Sequence, residues 1–244
     1  ALARLPHLSA PKATRGQVVV VGLGSGVPGQ ITPEVDAALR HCDTVAGYSN
    51  YVDFIRDRII GKPIIQNGMM GEVARCRATL EAAAAGQEVC MVCSGDPGIL
   101  AMAGLLFELR AREPEFADIP IRVLPGITAA SLGAPLQNGF SLVSLSDLLV
   151  PSDEVRQNLR AVAQSALPVT LYNPAGRKRR HLLTEALDIF REQRGGDVLC
   201  AYVRHAGRPQ EAKWIGRLDD FPADEVDMST LVIIGGPRTI TDAG

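Results

Sequence analysis

Four short segments of this 244-residue chain have compositions that could bring a ligand against the backbone or hold an anion. The first is GLGSG, Gly22 to Gly26, where missing side chains let a ligand approach the main chain. A dinucleotide site would want G-x-G-x-x-G and a carboxylate about 20 residues on, for the ribose hydroxyls. Here the spacing is G-x-G-x-G and the next apolar run ends in Ala46, Gly47 and Tyr48, so a tight strand-to-helix turn explains the segment equally. In the second, Ser94 to Gly98, Asp96 and Pro97 have the pattern of a helix N-cap and first helical position. Alternatively, the Ser94 and Gly95 backbone and the Asp96 carboxylate line a pocket. The third, PGITAA from Pro125 to Ala130, offers Thr128 as another cap. The fourth is Tyr172-Asn173-Pro174, followed by Gly176 and then Arg177, Lys178, Arg179 and Arg180. A helix starting there carries cations at the positive end of its dipole, each unfavourable by roughly 0.3–1 kcal/mol. Such violations gather at functional sites, and an anionic ligand would reverse the sign; a solvated basic turn is the plainer alternative. Arg204, His205 and Arg208 follow a later apolar run and could extend the same anion-binding surface.

The elements that position these segments follow from hydrophobic patterning. From Gly16 onward, short β-branched runs alternate with amphipathic stretches, the signature of strand-helix-strand units in a mostly parallel sheet. Strands are predicted at 18–21, 44–47, 63–65, 88–93 and 121–124. A second set is predicted at 142–145, 169–172, 198–203, 213–217 and 230–234. The last three of these have short connections and form an antiparallel or mixed sheet. Val73, Cys76, Leu80, Ala83 and Ala84 recur at helical spacing, with Gly86 as a left-handed stop. The stretch APLQNGF breaks the pattern, which divides the chain into an extension (1–15), an N-terminal α/β domain (16–136) and a C-terminal α/β domain (137–244). The glycine-containing turns after strands one, four and five then share the carboxyl edge of one sheet, where open α/β sheets bind ligands.

Composition excludes several classes. With 25 basic and 27 acidic residues the net charge is −2, so no global field gathers nucleic acid or an anionic membrane, and anion recognition must be local. No apolar run approaches the ~20 residues of a membrane span. Five scattered cysteines argue against a disulfide framework and for a reducing compartment, with the cytoplasm as the expectation. Cys90 and Cys93 spell CxxC inside an apolar run, where residues three apart face opposite sides of a strand, so they read as core residues and not as a metal or redox pair.

Taken together, SGDPGILAMA (94–103), PGITAA (125–130), GAPL (133–136), SLSDLL (144–149) and YNPAGRKR (172–179) resemble the tetrapyrrole methylase family, and within it the C-17 methylating branch of cobalamin biosynthesis. The resemblance covers roughly residues 16–236. It implies two α/β domains of non-Rossmann type, a cleft between them, S-adenosyl-L-methionine as cofactor, a precorrin as substrate and a homodimer. Carried over by position, cofactor contacts fall at Ser25, Ser94, Gly95, Asp96, Ile99, Thr128, Ala129, Asn173 and Thr230. Arg177, Lys178, Arg179, Arg204 and Arg208 suit the substrate carboxylates, since guanidinium forks match them, and His205 is the candidate base for ring contraction. Two departures stand out. Ser25 occupies a position that in the family is usually proline, and only Ser131 and Leu132 separate PGITAA from GAPL, where similar proteins carry a longer helical stretch. Two other function classes stay open: a tetrapyrrole binder whose altered pocket has lost catalysis, and a nicotinamide-dependent oxidoreductase, against which the missing ribose carboxylate speaks.

Overall fold

The computed structural model describes residues 16–68, 70–133, 139–176 and 180–241. The first half contains β1 (Gln17–Gly22), α1 (Pro33–His41), β2 (Thr44–Tyr48), α2 (Ser49–Asp53), β3 (Ile64–Asn67), α3 (Glu72–Ala84), β4 (Glu88–Cys93), α4 (Ala103–Arg112), β5 (Ile121–Leu124) and α5 (Ala130–Gly133). Its five strands pair in parallel, in the order β3-β2-β4-β1-β5. The second half contains β6 (Ser141–Ser144), α6 (Ser152–Ala163), β7 (Val169–Tyr172), α7 (Arg180–Arg194), β8 (Leu199–Arg204), β9 (Ala212–Arg217) and β10 (Thr230–Ile234). These strands run in the order β6-β7-β10-β8-β9, with β6 and β7 parallel and the remaining pairs antiparallel. All ten expected strands are present, with ends displaced by at most one residue or, at the end of β3, two.

Burial on both faces makes the first sheet apolar throughout. Val18, Val20, Val89 and Met91 pack on Leu80 of α3 and Leu106 of α4; Val19, Val21, Cys90 and Val92 pack on Leu39 of α1 and Val52 of α2. Such double coverage is what parallel strands need. The same alternation sends Cys90 and Cys93 to opposite faces, and all five cysteines are free and buried. In the second half, α6 and α7 cover one face of the mixed sheet through Leu159, Leu182 and Phe190.

The order of the first sheet positions the site. β4 lies between β2 and β1; α1, which follows β1, covers one face, and α4, which follows β4, covers the other. The chain therefore leaves two adjacent strands in opposite directions, opening a crevice at their carboxyl ends. In this order the end of β2 is no longer next to β1, as a Rossmann ribose site requires.

Two local expectations are corrected. Asp96 and Pro97 do not start a helix: the Asp96 carboxylate accepts the Gly98 N–H at 2.8 Å, Leu100 takes a left-handed φ of 52°, and α4 begins only at Ala103. Thr128 does not cap with its hydroxyl, which bonds the Tyr172 hydroxyl at 2.6 Å instead. The extension 1–15 and the proposed boundary at 136/137 lie outside the described residues. No helix among the described residues is long and apolar enough to cross a membrane.

Candidate functional site

The turns after β1, β4 and β5 meet at the carboxyl edge of the sheet. Gly24 and Gly95 form an isolated antiparallel bridge, with N–H···O distances of 3.3 and 2.7 Å, and the Ser94 hydroxyl donates to the Gly24 carbonyl at 3.4 Å. The two carboxylate oxygens of Asp96 divide between turns. One accepts from Gly98 and the other from the Gly126 N–H at 3.1 Å, which ties the second turn to the third. A Cβ on Gly22 would stand 2.6 Å from both the Gly95 oxygen and the Gly126 nitrogen, so only glycine permits this approach. Ile99 donates its N–H to the Asp96 carbonyl at 3.3 Å, which folds it back over the turn. Ala129 is half-buried beside Thr128.

The second half reaches this edge through three segments. Tyr172, at the end of β7, bonds Thr128 and accepts the Ala130 N–H at 2.7 Å. Asn173 next to it has φ 53° and donates from Nδ2 to the Ser144 hydroxyl at 2.9 Å. Thr230 opens β10 and is buried; its hydroxyl donates to Asp227 Oδ1 at 2.9 Å. The other Asp227 oxygen lies 3.5 Å from His205 Nε2, and His205, at φ 52°, directly follows β8, the strand that pairs with β10. Leu100, Asn173 and His205 account for three of the four left-handed non-glycine residues described, the fourth being Met70. Strain of this kind collects where a site demands it. A cavity of about 240 Å³ is lined by Ala175, Gly176, Arg180, Asp227, Met228 and Ser229.

The candidate cations separate into three situations. Arg204 donates to the Glu225 carbonyl at 2.9 Å. Arg208 donates from Nε to the Ser25 carbonyl at 2.6 Å, and burial pushes its guanidinium below the ordinary arginine value. Arg177, Lys178 and Arg179 lie outside the described residues, but α7, which follows them, has no acidic residue in its first turn, whereas α1 and α6 each have two. Ser25 is itself buried, and its hydroxyl has no hydrogen-bond partner. Two of the thiols are chemically quiet: burial pushes Cys76 up to about 12 and Cys93 up to about 11, so neither supplies a thiolate at neutral pH.

Sequence reasoning found the turns but missed their braces. Phe54 under the Arg208 guanidinium, Gln30 accepting the Ser25 N–H at 2.9 Å and the Tyr172 hydroxyl bridging the halves have no short-range signature. The Phe54 and Tyr172 contacts depend on partners from distant parts of the chain, which no local spacing encodes, and Gln30, though only five residues from Ser25, belongs to no standard capping pattern.

Fold and geometry thus define a two-sheet α/β protein of non-Rossmann strand order, in which carboxyl-edge turns of the first sheet touch strand ends and turns of the second. Residues 17–222 match the family of tetrapyrrole (corrin/porphyrin) methylases, and the chain belongs to that family. It is 36% identical over 230 residues to a probable cobalt-factor III C(17)-methyltransferase of Salmonella typhimurium, covering 92% of this chain and 95% of the relative. It is also 36% identical to a precorrin-3B C(17)-methyltransferase of a Sinorhizobium species, covering 92% and 90%. Among solved structures, the methyltransferase CobJ superposes with a TM-score of 0.87 at 38% identity, covering 93% of this chain and 97% of the other. A uroporphyrin-III C-methyl transferase from Thermus thermophilus, complexed with S-adenyl homocysteine, shares the fold at 23% identity and a TM-score of 0.68, covering 90% and 97%.

Proposed function

We propose that the protein is an S-adenosylmethionine-dependent C-methyltransferase of cobalamin biosynthesis, methylating C-17 of a precorrin with contraction of the macrocycle. The observation that carries this reading is the match to two relatives named as C(17)-methyltransferases, one of precorrin-3B and one, a probable one, of cobalt-factor III, each over more than nine-tenths of this chain. The site fits the cofactor in kind. Three turns bring main-chain groups together at the carboxyl edge of the sheet, and a buried Ser25 hydroxyl is left unpartnered. When bound, the cofactor supplies an already activated methyl group.

The chain's own part is alignment and exclusion of water. Ser94, Gly95, Asp96, Ile99, Thr128 and Ala129 form the wall on the first-half side, with Ser25 beside them; Asn173 and Thr230 form the opposite wall. Holding donor and acceptor in register is worth up to about 7–11 kcal/mol of barrier. His205, whose Nε2 faces Asp227 and whose Nδ1 is the nitrogen left for proton exchange, is the group assigned to move a proton during contraction. Arg177, Lys178, Arg179 and Arg204 are assigned to the substrate carboxylates. Replacing Arg177 and Arg179 together with glutamine should raise the KM for the tetrapyrrole and leave S-adenosylmethionine affinity nearly intact; an unchanged KM would place the carboxylate site elsewhere.

Calorimetric titration with S-adenosylhomocysteine tests the cofactor assignment. Saturable binding supports it. Its absence in folded protein that still binds tetrapyrrole favours the binder that has lost catalysis, and a preference for a nicotinamide cofactor favours the oxidoreductase. We assign the active form as a homodimer in a reducing, cytoplasmic compartment, and a monomer mass by light scattering at micromolar concentration would contradict the dimer.

A further inference from the structure

Ser25 is held from two directions. Its N–H donates to Gln30 Oε1 at 2.9 Å, while its carbonyl accepts Arg208 Nε at 2.6 Å from the turn between β8 and β9. The Arg208 guanidinium carbon stands 4.4 Å from the centroid of Phe54, the residue that ends α2. Gly26 packs on the same ring, where a Cβ would be 2.4 Å from Phe54 Cδ2. The turn bearing Arg208 is closed by its N–H donating to the His205 carbonyl at 2.9 Å, and Gly207 backs directly onto Gln30 and Ser25. Three stretches distant in sequence, the glycine turn with Gln30, the end of α2 and the turn bearing Arg208, therefore meet at Ser25 and Gly26. An arginine awaiting a carboxylate keeps its fork open. Here Nε and the planar face are both engaged within the protein, and the half-buried guanidinium is pushed below the ordinary arginine value.

We propose that Arg208 is a positioning residue that clamps the Gly22–Gly26 turn of the first half to the β8–β9 turn of the second, thereby fixing the width of the cleft that takes the S-adenosyl group. The proposal rests on the methyltransferase reading. The chemistry selects arginine over lysine, because only a guanidinium offers a face for the ring and an N–H along the stem for the carbonyl. It also links the cofactor turn to His205, since the two sit at opposite ends of one chain of contacts.

The test is S-adenosylhomocysteine titration of the full chain and three variants: Arg208→Met, Phe54→Leu and the double replacement. Each single variant should weaken binding by about tenfold, the size expected when one hydrogen bond or one desolvated cation–π contact is lost from an ordered loop. The double variant should be little weaker than either single one, because the clamp acts as a unit. Arg208→Lys should restore only part of the affinity. A folded Arg208→Met protein that binds S-adenosylhomocysteine like wild type, with only the KM for tetrapyrrole raised, would overturn the proposal and make Arg208 a direct substrate contact. If Arg208→Met fails to fold, Phe54→Leu and Arg208→Lys decide the question by the same readout. Failure of the wild-type chain itself to bind would instead contradict the underlying reading, and it is seen before any variant is compared.

Discussion

At Gly126 a Cβ would stand 2.2 Å from the Gly95 carbonyl oxygen and 2.7 Å from the Gly22 carbonyl carbon, and all of these are backbone atoms with nowhere to retreat. Gly126→Ala should therefore pry the third turn from the first two and stretch the Asp96–Gly126 hydrogen bond. Overpacking of this kind costs about 1–3 kcal/mol, so urea denaturation should show that loss and calorimetry should show weakened S-adenosylhomocysteine binding. Unchanged values for both would mean that the turns do not depend on this approach. The sequence marked PGITAA as a segment of small residues, yet it could not say which glycine was indispensable. The clash is with residues about 30 and 100 positions earlier, and only the folded sheet brings them together. Asp96 shows the same limit. Its neighbours Pro97 and Gly98 spell a helix start, but the carboxylate is drawn to Gly98 and Gly126 and the helix waits until Ala103.

Helices illustrate which rules hold locally. α1 opens with Thr32 accepting the Val35 N–H at 3.3 Å, places Glu34 and Asp36 in its first turn and Arg40 and His41 in its last, and so agrees with its dipole at both ends. α6 and α7 pack together through the second core and are also joined by Arg156, whose Nε donates to Glu185 at 2.7 Å and whose Nη1 donates to Asp153 at 2.9 Å. That hydrogen bond and the Arg156 charge hold the Glu185 carboxyl below the usual glutamate value. A depressed carboxyl stabilises the fold above its unfolded value, about 4.3, and the contribution fades as pH falls through the lower folded value. Glu185→Gln should accordingly be slightly less stable than wild type at neutral pH, with the difference shrinking as pH drops below about 4.3. A difference that grew on acidification would contradict the ion pair as its source. The effect is small because Glu185 is 36% exposed. The strands were legible because β-branched runs are rare outside sheets. Their order was not, because β1, β2 and β4 are buried on both faces and so carry no mark of which neighbour they take.

The whole molecule joins two sheets of different construction, one parallel and doubly covered, the other mixed, so that the carboxyl-edge turns of the first face strand ends of the second. Tyr172 and Arg208 supply hydrogen bonds across that boundary. With a net charge of −2 the protein has no overall attraction for a polycarboxylate, so its cations must act where they are gathered. The measurement that bears most directly on the account is product mass after incubation of the full chain with methyl-labelled S-adenosylmethionine and either cobalt-free or cobalt-bearing tetrapyrrole. The account predicts a product heavier by one labelled methyl group with one of these substrates. Folded protein that binds both cofactor and tetrapyrrole yet transfers no label to either substrate would contradict it.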